Sequence, residues 1–119
     1  MRHISDAYID GSFVPVQGTE VVEIVNPATE QAIGTVRLGT RVDMQRAIAA
    51  ARRAQPAFAR TSKQERIALL KRLQAAVLAH ADKIQDITIE EYGGPLSRSK
   101  WVTQYASQCF ALAAQALES

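Results

Sequence analysis

The chain has 119 residues, of which 47% are hydrophobic and 22% charged, the size of one domain or a piece of one with an ordinary globular composition. Fourteen basic against twelve acidic residues leave a net charge of +2, and the basic residues are dispersed, which argues against a nucleic-acid partner. One cysteine excludes an internal disulfide framework and fits a reducing compartment. No apolar stretch reaches the length of a signal peptide or a membrane span, so a cytoplasmic chain without a membrane partner is expected.

The first third reads as strands. Residues 8–14 form two short extended pieces around a turn at Gly11, and Pro15 argues against a central strand there. Residues 20–25 are rich in β-branched side chains, Asn26-Pro27-Ala28-Thr29-Glu30 supplies turn chemistry, and residues 32–36 resume extended, which predicts a hairpin with a longer loop. Strands are thus expected over about residues 8–37.

At Thr40 the period changes to that of a helix. Met44, Ala47, Ile48, Ala51 and Phe58 share one face, which is expected to point inward. Thr40 is the expected N-cap, with Asp43 in the first turn where a negative charge suits the helix dipole, and Pro56 is expected to end this helix or kink its last turn. Ser62 and Glu65 then form a capping box for a helix reaching about His80. Its apolar arc of Ile67, Leu69, Leu70, Leu73, Ala76, Val77 and Leu78 is broad, which makes this the element around which the others should pack. Arg66 projects from the middle of that arc. A guanidinium held there needs a carboxylate or carbonyl partner, and Glu90 and Glu91 are the candidates.

A third helix is expected from Ala81 to about Glu91, with Ile84, Ile87 and Thr88 inward, stopped by Gly93-Gly94-Pro95. A fourth is expected over residues 96–118, with Trp101, Val102, Tyr105, Cys109, Leu112 and Ala116 on its apolar face. The whole is an α+β arrangement of short N-terminal strands followed by about four helices at residues 40–118, without βαβ alternation. A small sheet cannot cover four apolar helices, so an incomplete domain is expected.

The ordered set Tyr8-Ile9-Asp10-Gly11, Val25-Asn26-Pro27-Ala28-Thr29-Glu30, residues 47–54 with Phe58, Glu65-Arg66 followed by Leu69-Leu70, and Glu91-Tyr92-Gly93-Gly94-Pro95-Leu96 resembles the amino-terminal part of the NAD(P)-dependent aldehyde dehydrogenase superfamily. No single piece is specific, but the order and spacing are, from Tyr8 to about Trp101. The resemblance implies that residues 1–119 are the opening strands and outer helices of a cofactor-binding domain. It also implies a parent reaction in which a cysteine thiolate attacks an aldehyde, an asparagine amide and a backbone N–H hold the oxyanion, a glutamate acts as base and NAD(P)+ accepts hydride. By the same resemblance, every residue in those roles follows Ser119. Catalytic, cofactor-binding and metal residues are therefore all expected to be none, with NAD or NADP a cofactor of the longer enzyme and not of this chain.

The residues that could suggest chemistry each have a plainer reading. Gln108-Cys109 echoes the family's nucleophile, but Cys109 lies on an amphipathic helix with no His, Lys or loop glycine placed to lower its pKa, so a buried, inert side chain is expected. His3 and His80 lack a paired ligand at helical or turn spacing, and His80 suits a helix C-terminus. Gly93-Gly94 is a helix stop and not a phosphate loop, and Arg52-Arg53 reads as a solvated helix face. Some relatives hold a monovalent cation between the carbonyl before the Asn-Pro turn and a later aspartate. Val25 matches the first position, but Thr103 stands near the second, and no site is expected. Two functions follow as expectations: an inactive amino-terminal fragment whose partner is the remainder of the enzyme, or a stand-alone helical module that binds a partner or self-associates.

Overall fold

In a computed structural model, which describes residues 1–118, five short strands precede four helices. The chain folds as two compact units, Met1–Arg60 and the residues from Thr61 onward.

The first unit contains β1 (Arg2–Ile4), β2 (Asp6–Ile9), β3 (Ser12–Pro15), β4 (Val21–Asn26), β5 (Gln31–Arg37) and α1 (Arg41–Ala59). β2 and β3 make a separate antiparallel hairpin, closed by Asp10 and Gly11 at φ 56° and 84°. Positive φ at both central residues matches the right-handed strand twist, which is why Asp-Gly is favoured there. β5 lies between β1, parallel to it, and β4, antiparallel to it, in the order β1-β5-β4. The β4–β5 loop is built on Asn26, whose Oδ1 accepts from the amides of Ala28 and Thr29 at 2.9 and 3.3 Å while its carbonyl accepts from Glu30 at 2.8 Å. Strand structure therefore starts at Arg2 and not near residue 8. Three residues of β1 carry too little pattern to be recognised alone, and their pairing with Gly34, Thr35 and Val36 is long-range.

The helix at residues 41–59 runs past Pro56 to Ala59, so the proline neither ends it nor marks its boundary. Its inward face also differs from expectation. Asp43 and Ala50 are buried and Ala47 half-buried, whereas Met44, Ile48, Ala51 and Phe58 are exposed. Positions 43, 47 and 50 form an i, i+4, i+7 stripe, so the covered side is the one bearing small side chains and the capping carboxylate.

The second unit contains α2 (Lys63–Ala79), α3 (Ala81–Tyr92) and α4 (Leu96–Glu118). The capping box of α2 is present: the Glu65 amide donates to Ser62 Oγ at 3.2 Å, and the Ser62 amide donates to Glu65 Oε2 at 2.7 Å. Gly93, at φ 71°, closes α3 with its N–H donating to the Ile89 carbonyl. The organising element is not the broad-arced α2, which has no fully buried residue. It is α4, against which both α2 and α3 pack. The buried residues of α4 are Ser99, Thr103, Ser107 and Ala114, while the expected inward residues Trp101, Val102, Tyr105, Cys109, Leu112 and Ala116 are all exposed. Small side chains let helices approach closely, and the hydroxyls bring their own acceptors. Ser99 donates to the Gln85 carbonyl across to α3, Thr103 to Ser99 and Ser107 to Gln104.

Gly18 is buried between β3 and β4, and a Cβ there would overlap the Leu38 carbonyl oxygen. Because the obstacle is backbone and not a movable side-chain end, Gly18→Ala is expected to displace the segment around Leu38 and destabilise the first unit. Urea titration should show a clear drop in midpoint. Ser62→Ala in the second unit is expected to cost about 1 kcal/mol by loss of the N-cap, with Ser62→Thr, which keeps the hydroxyl bonded to Glu65, costing less, checked by the same titration.

Candidate functional site

The described residue in which charge and burial coincide is Asp43, 5% exposed. The capping position at Thr40 brings it to the start of α1, and the segment after β3 closes over it. Its oxygens accept from the Thr40 amide at 2.8 Å and the Thr40 hydroxyl at 2.9 Å. They also accept from the Gln17 amide, at 3.1 Å to Oδ1 and 3.0 Å to Oδ2. The Arg46 guanidinium stands 3.7 Å away. The bond from the Thr40 amide is the main reason the carboxyl lies below its ordinary pKa. Burial opposes that bond, and the Thr40 hydroxyl, Gln17 and Arg46 assist it. A general acid or base needs a pKa near the working pH, and the carboxyl of Asp43 is held below even its ordinary value. It ties the post-β3 segment to a helix start. Thr40 as the N-cap and Asp43 in the first turn were readable in the sequence, whereas their direct bonds were not read there and the Gln17 contact, 26 residues away, leaves no local signal.

Cys109 is solvent-exposed on α4, so the expectation of a buried side chain is corrected. The register of α4 causes this. Two residues beyond buried Ser107, Cys109 is turned about 200° from it, onto the opposite face. The Nδ1 of His3 lies 2.9 Å from Thr35 Oγ1, across the β1–β5 pair. His80 is the residue between α2 and α3, its backbone N–H donating to the carbonyls of Ala76 and Val77. Arg53 pairs with Asp10 at 2.9 Å, both side chains more than 60% exposed, and Arg52 is exposed, a solvated helix face. Arg66 is half-buried rather than buried, and its Nε donates to Thr61 Oγ1 at 3.0 Å, just before the N-cap of its own helix. Val25 is in β4 opposite Ala32. Thr103 uses its hydroxyl within α4. Among the described residues, no three His, Cys, Asp or Glu are grouped to hold a metal ion.

Within the second unit a cleft of about 460 Å³ opens beside Ile87, Thr88, Tyr92, Arg98 and Val102, over the α3–α4 contact. Glu91, Gly94 and Ser99 also line it, and the Ser99 hydroxyl is engaged with the Gln85 carbonyl. The Arg98 guanidinium is directed over the Trp101 ring at 4.9 Å.

Compared with known proteins, this architecture is that of one enzyme family. The model of the aldehyde dehydrogenase family matches residues 13–119. The 3-succinoylsemialdehyde-pyridine dehydrogenase of a Pseudomonas species is 41% identical over 96 residues, covering 81% of this chain and 20% of that protein. Lactaldehyde dehydrogenase from Escherichia coli is similar in structure with a TM-score of 0.89 and 30% identity, covering 96% of this chain and 24% of that one. An aldehyde dehydrogenase mutant from Pseudomonas syringae, in complex with NAD+ and octanal, gives a TM-score of 0.93 at 26% identity over 97% of this chain and 24% of that one. The chain belongs to the aldehyde dehydrogenase family of NAD(P)-dependent oxidoreductases and corresponds to an amino-terminal segment of it. It spans about a fifth to a quarter of the length of these relatives. Among the described residues, no helix is long and apolar enough to cross a membrane.

A carboxyl held below its ordinary pKa stabilises the fold most when ionised. The contribution of Asp43 is therefore fully present above the unfolded-state value of about 3.9 and is lost as pH falls through the lower folded-state value. Unfolding of the first unit is expected to become easier over that acid range. Asp43→Asn should lower stability at neutral pH and flatten the acid dependence. Urea midpoints measured from pH 7 down to pH 3 check both, and an unchanged slope in the variant would contradict the assignment.

Proposed function

We propose that this chain is the opening part of the cofactor-binding domain of an NAD(P)-dependent enzyme that oxidises an aldehyde to a carboxylic acid, and that its contribution is architectural. In that enzyme NAD(P)+ supplies the hydride acceptor. The groups that attack the aldehyde, hold the oxyanion and remove the proton belong to the remainder of the polypeptide. The observation that carries this reading is the facing of the helices. α1 and α4 cover their small and polar sides and leave Met44, Ile48, Phe58, Trp101, Tyr105 and Leu112 between 46% and 62% exposed. Large apolar side chains displayed in this way are what a domain presents before the rest of its core is added. NAD or NADP, and a soluble cytoplasmic setting, belong to the same proposal.

On this reading Cys109 is not a nucleophile despite its exposure. The purified chain, mixed with NAD+ or NADP+ and a panel of aliphatic and aromatic aldehydes, is expected to give no rise in reduced-nicotinamide absorbance. A rate above background that disappears in Cys109→Ala would overturn the reading.

The same exposed side chains favour a second reading, a stand-alone module that self-associates. Under either reading the lone chain is expected to bind an apolar-surface dye and to sediment above monomer mass at micromolar concentration. A compact monomer without dye binding would count against both. Association with one fixed stoichiometry and loss of dye binding would favour the module.

A further inference from the structure

α4 carries two faces of opposite character. Ser99, Thr103, Ser107 and Ala114 are turned toward α2 and α3. On the opposite side Arg98, Trp101, Tyr105, Cys109 and Leu112 fall within an arc of about 80°. That second arc is built and not random. The Trp101 and Tyr105 rings stack with centroids 5.1 Å apart and planes 9° from parallel, and the Arg98 guanidinium lies over the Trp101 ring. Trp101, Tyr105 and Leu112 are each 52% exposed, and Cys109 is exposed beside them. Stacking fixes two large rings in one orientation before any partner arrives, which lowers the entropy cost of covering them.

The size of the arc decides what covers it. Half-exposed aromatic residues offer on the order of 100 Å² each, so the whole stripe presents on the order of 300–400 Å². A standard protein–protein interface buries about 800 Å² on each partner. The stripe alone is therefore too small to hold a freely diffusing second copy at high dilution, although it can add to association at micromolar concentration. It is ample for a segment of the same polypeptide, because tethering replaces the cost of association with an effective concentration in the millimolar range. The relatives are about four to five times as long as this chain, so such a segment exists in the enzyme of the preceding subsection, on which this inference rests.

We infer that the Arg98–Trp101–Tyr105–Cys109–Leu112 stripe of α4 is the seat of an apolar segment of the same enzyme's polypeptide lying beyond these residues, which covers the stacked rings and shields the Cys109 thiol. Arg98 sets one end of that seat. It is charged and lies over the Trp101 ring, so the covering segment presents a carboxylate or carbonyl oxygen there and apolar side chains along the rest.

Cys109 is the chain's own reporter, being its sole cysteine. The experiment joins this chain to the remainder of the 41%-identical Pseudomonas dehydrogenase and follows reaction of a thiol reagent at Cys109 by peptide mass mapping. The isolated chain at high dilution is the reference. Cys109 is expected to react freely in the isolated chain and at least tenfold more slowly in the fusion, and Tyr105→Glu in the fusion should restore much of the rate. A soluble fusion that oxidises aldehydes while Cys109 reacts at the free rate overturns the inference and leaves the functional reading standing. A soluble fusion without activity and with a shielded Cys109 does the reverse. If the fusion is insoluble, the two parts are mixed as separate polypeptides, and absence of any slowing overturns the inference. Slow reaction in the isolated chain that persists at high dilution shows that the chain covers Cys109 by itself and also overturns it.

Discussion

The structure depends on a shortage of apolar burial. Among the described residues the buried apolar side chains are Val16, Ala50 and Ala114, a core far smaller than one expected of a chain of this length. Polar contacts therefore do much to hold each unit in shape. In the first, Asp43 ties Gln17 to Thr40 and hairpin turns fix the strand registers. In the second, the serine and threonine hydroxyls of α4 are satisfied at a close helix contact. Bonds of this kind contribute about 1 kcal/mol each and specify geometry better than they supply stability. The large side chains that could supply it are on the surface, which is why the reading of the chain as part of a larger domain and the packing of its helices are one observation.

Element positions were legible because they are set by neighbours in sequence. Ser62 and Glu65, three residues apart, determine the start of α2 through bonds they make to each other. Gly93 stops α3 because its left-handed backbone suits glycine, and Asp10-Gly11 closes a hairpin for the same steric reason. The limit of local reasoning shows at Pro56. A ring that lacks an N–H argues against continuation, yet the helix persists to Ala59.

Which helix face is covered was not legible, and the reason is physical. Periodicity identifies an apolar side, and the usual inference is that the apolar side is inside. That inference holds only when the covering elements are present. On α4 the structure buries the side opposite the apolar arc, where Ser99, Thr103 and Ala114 allow close approach, and on α1 it buries an adjacent stripe through Asp43, Ala47 and Ala50 that shares only Ala47 with the expected face. The expectation of a buried Cys109 failed for this reason alone. Readings that rested on residue types and spacing concern contacts the structure describes directly. His3 meets a threonine hydroxyl, Arg53 meets Asp10 in solvent, and Gly93 serves as a helix stop.

Exposure by itself does not turn Cys109 into a reactive centre. A nucleophilic thiol needs its thiolate stabilised by a cation, a helix N-terminus or a general base. Cys109 lies well along a helix of 23 residues, about twenty ångströms from its N-terminal end at 1.5 Å per residue, beyond the reach of those amides. Its neighbours along the stripe are Tyr105 and Leu112, and the arginine of the same face is three turns away, engaged with an indole ring. An apolar stripe raises the cost of forming a thiolate once covered, so the arrangement that shields the sulfur would also quiet it. On the reading proposed for this chain, the single cysteine serves the seat on α4 and not the chemistry of the family.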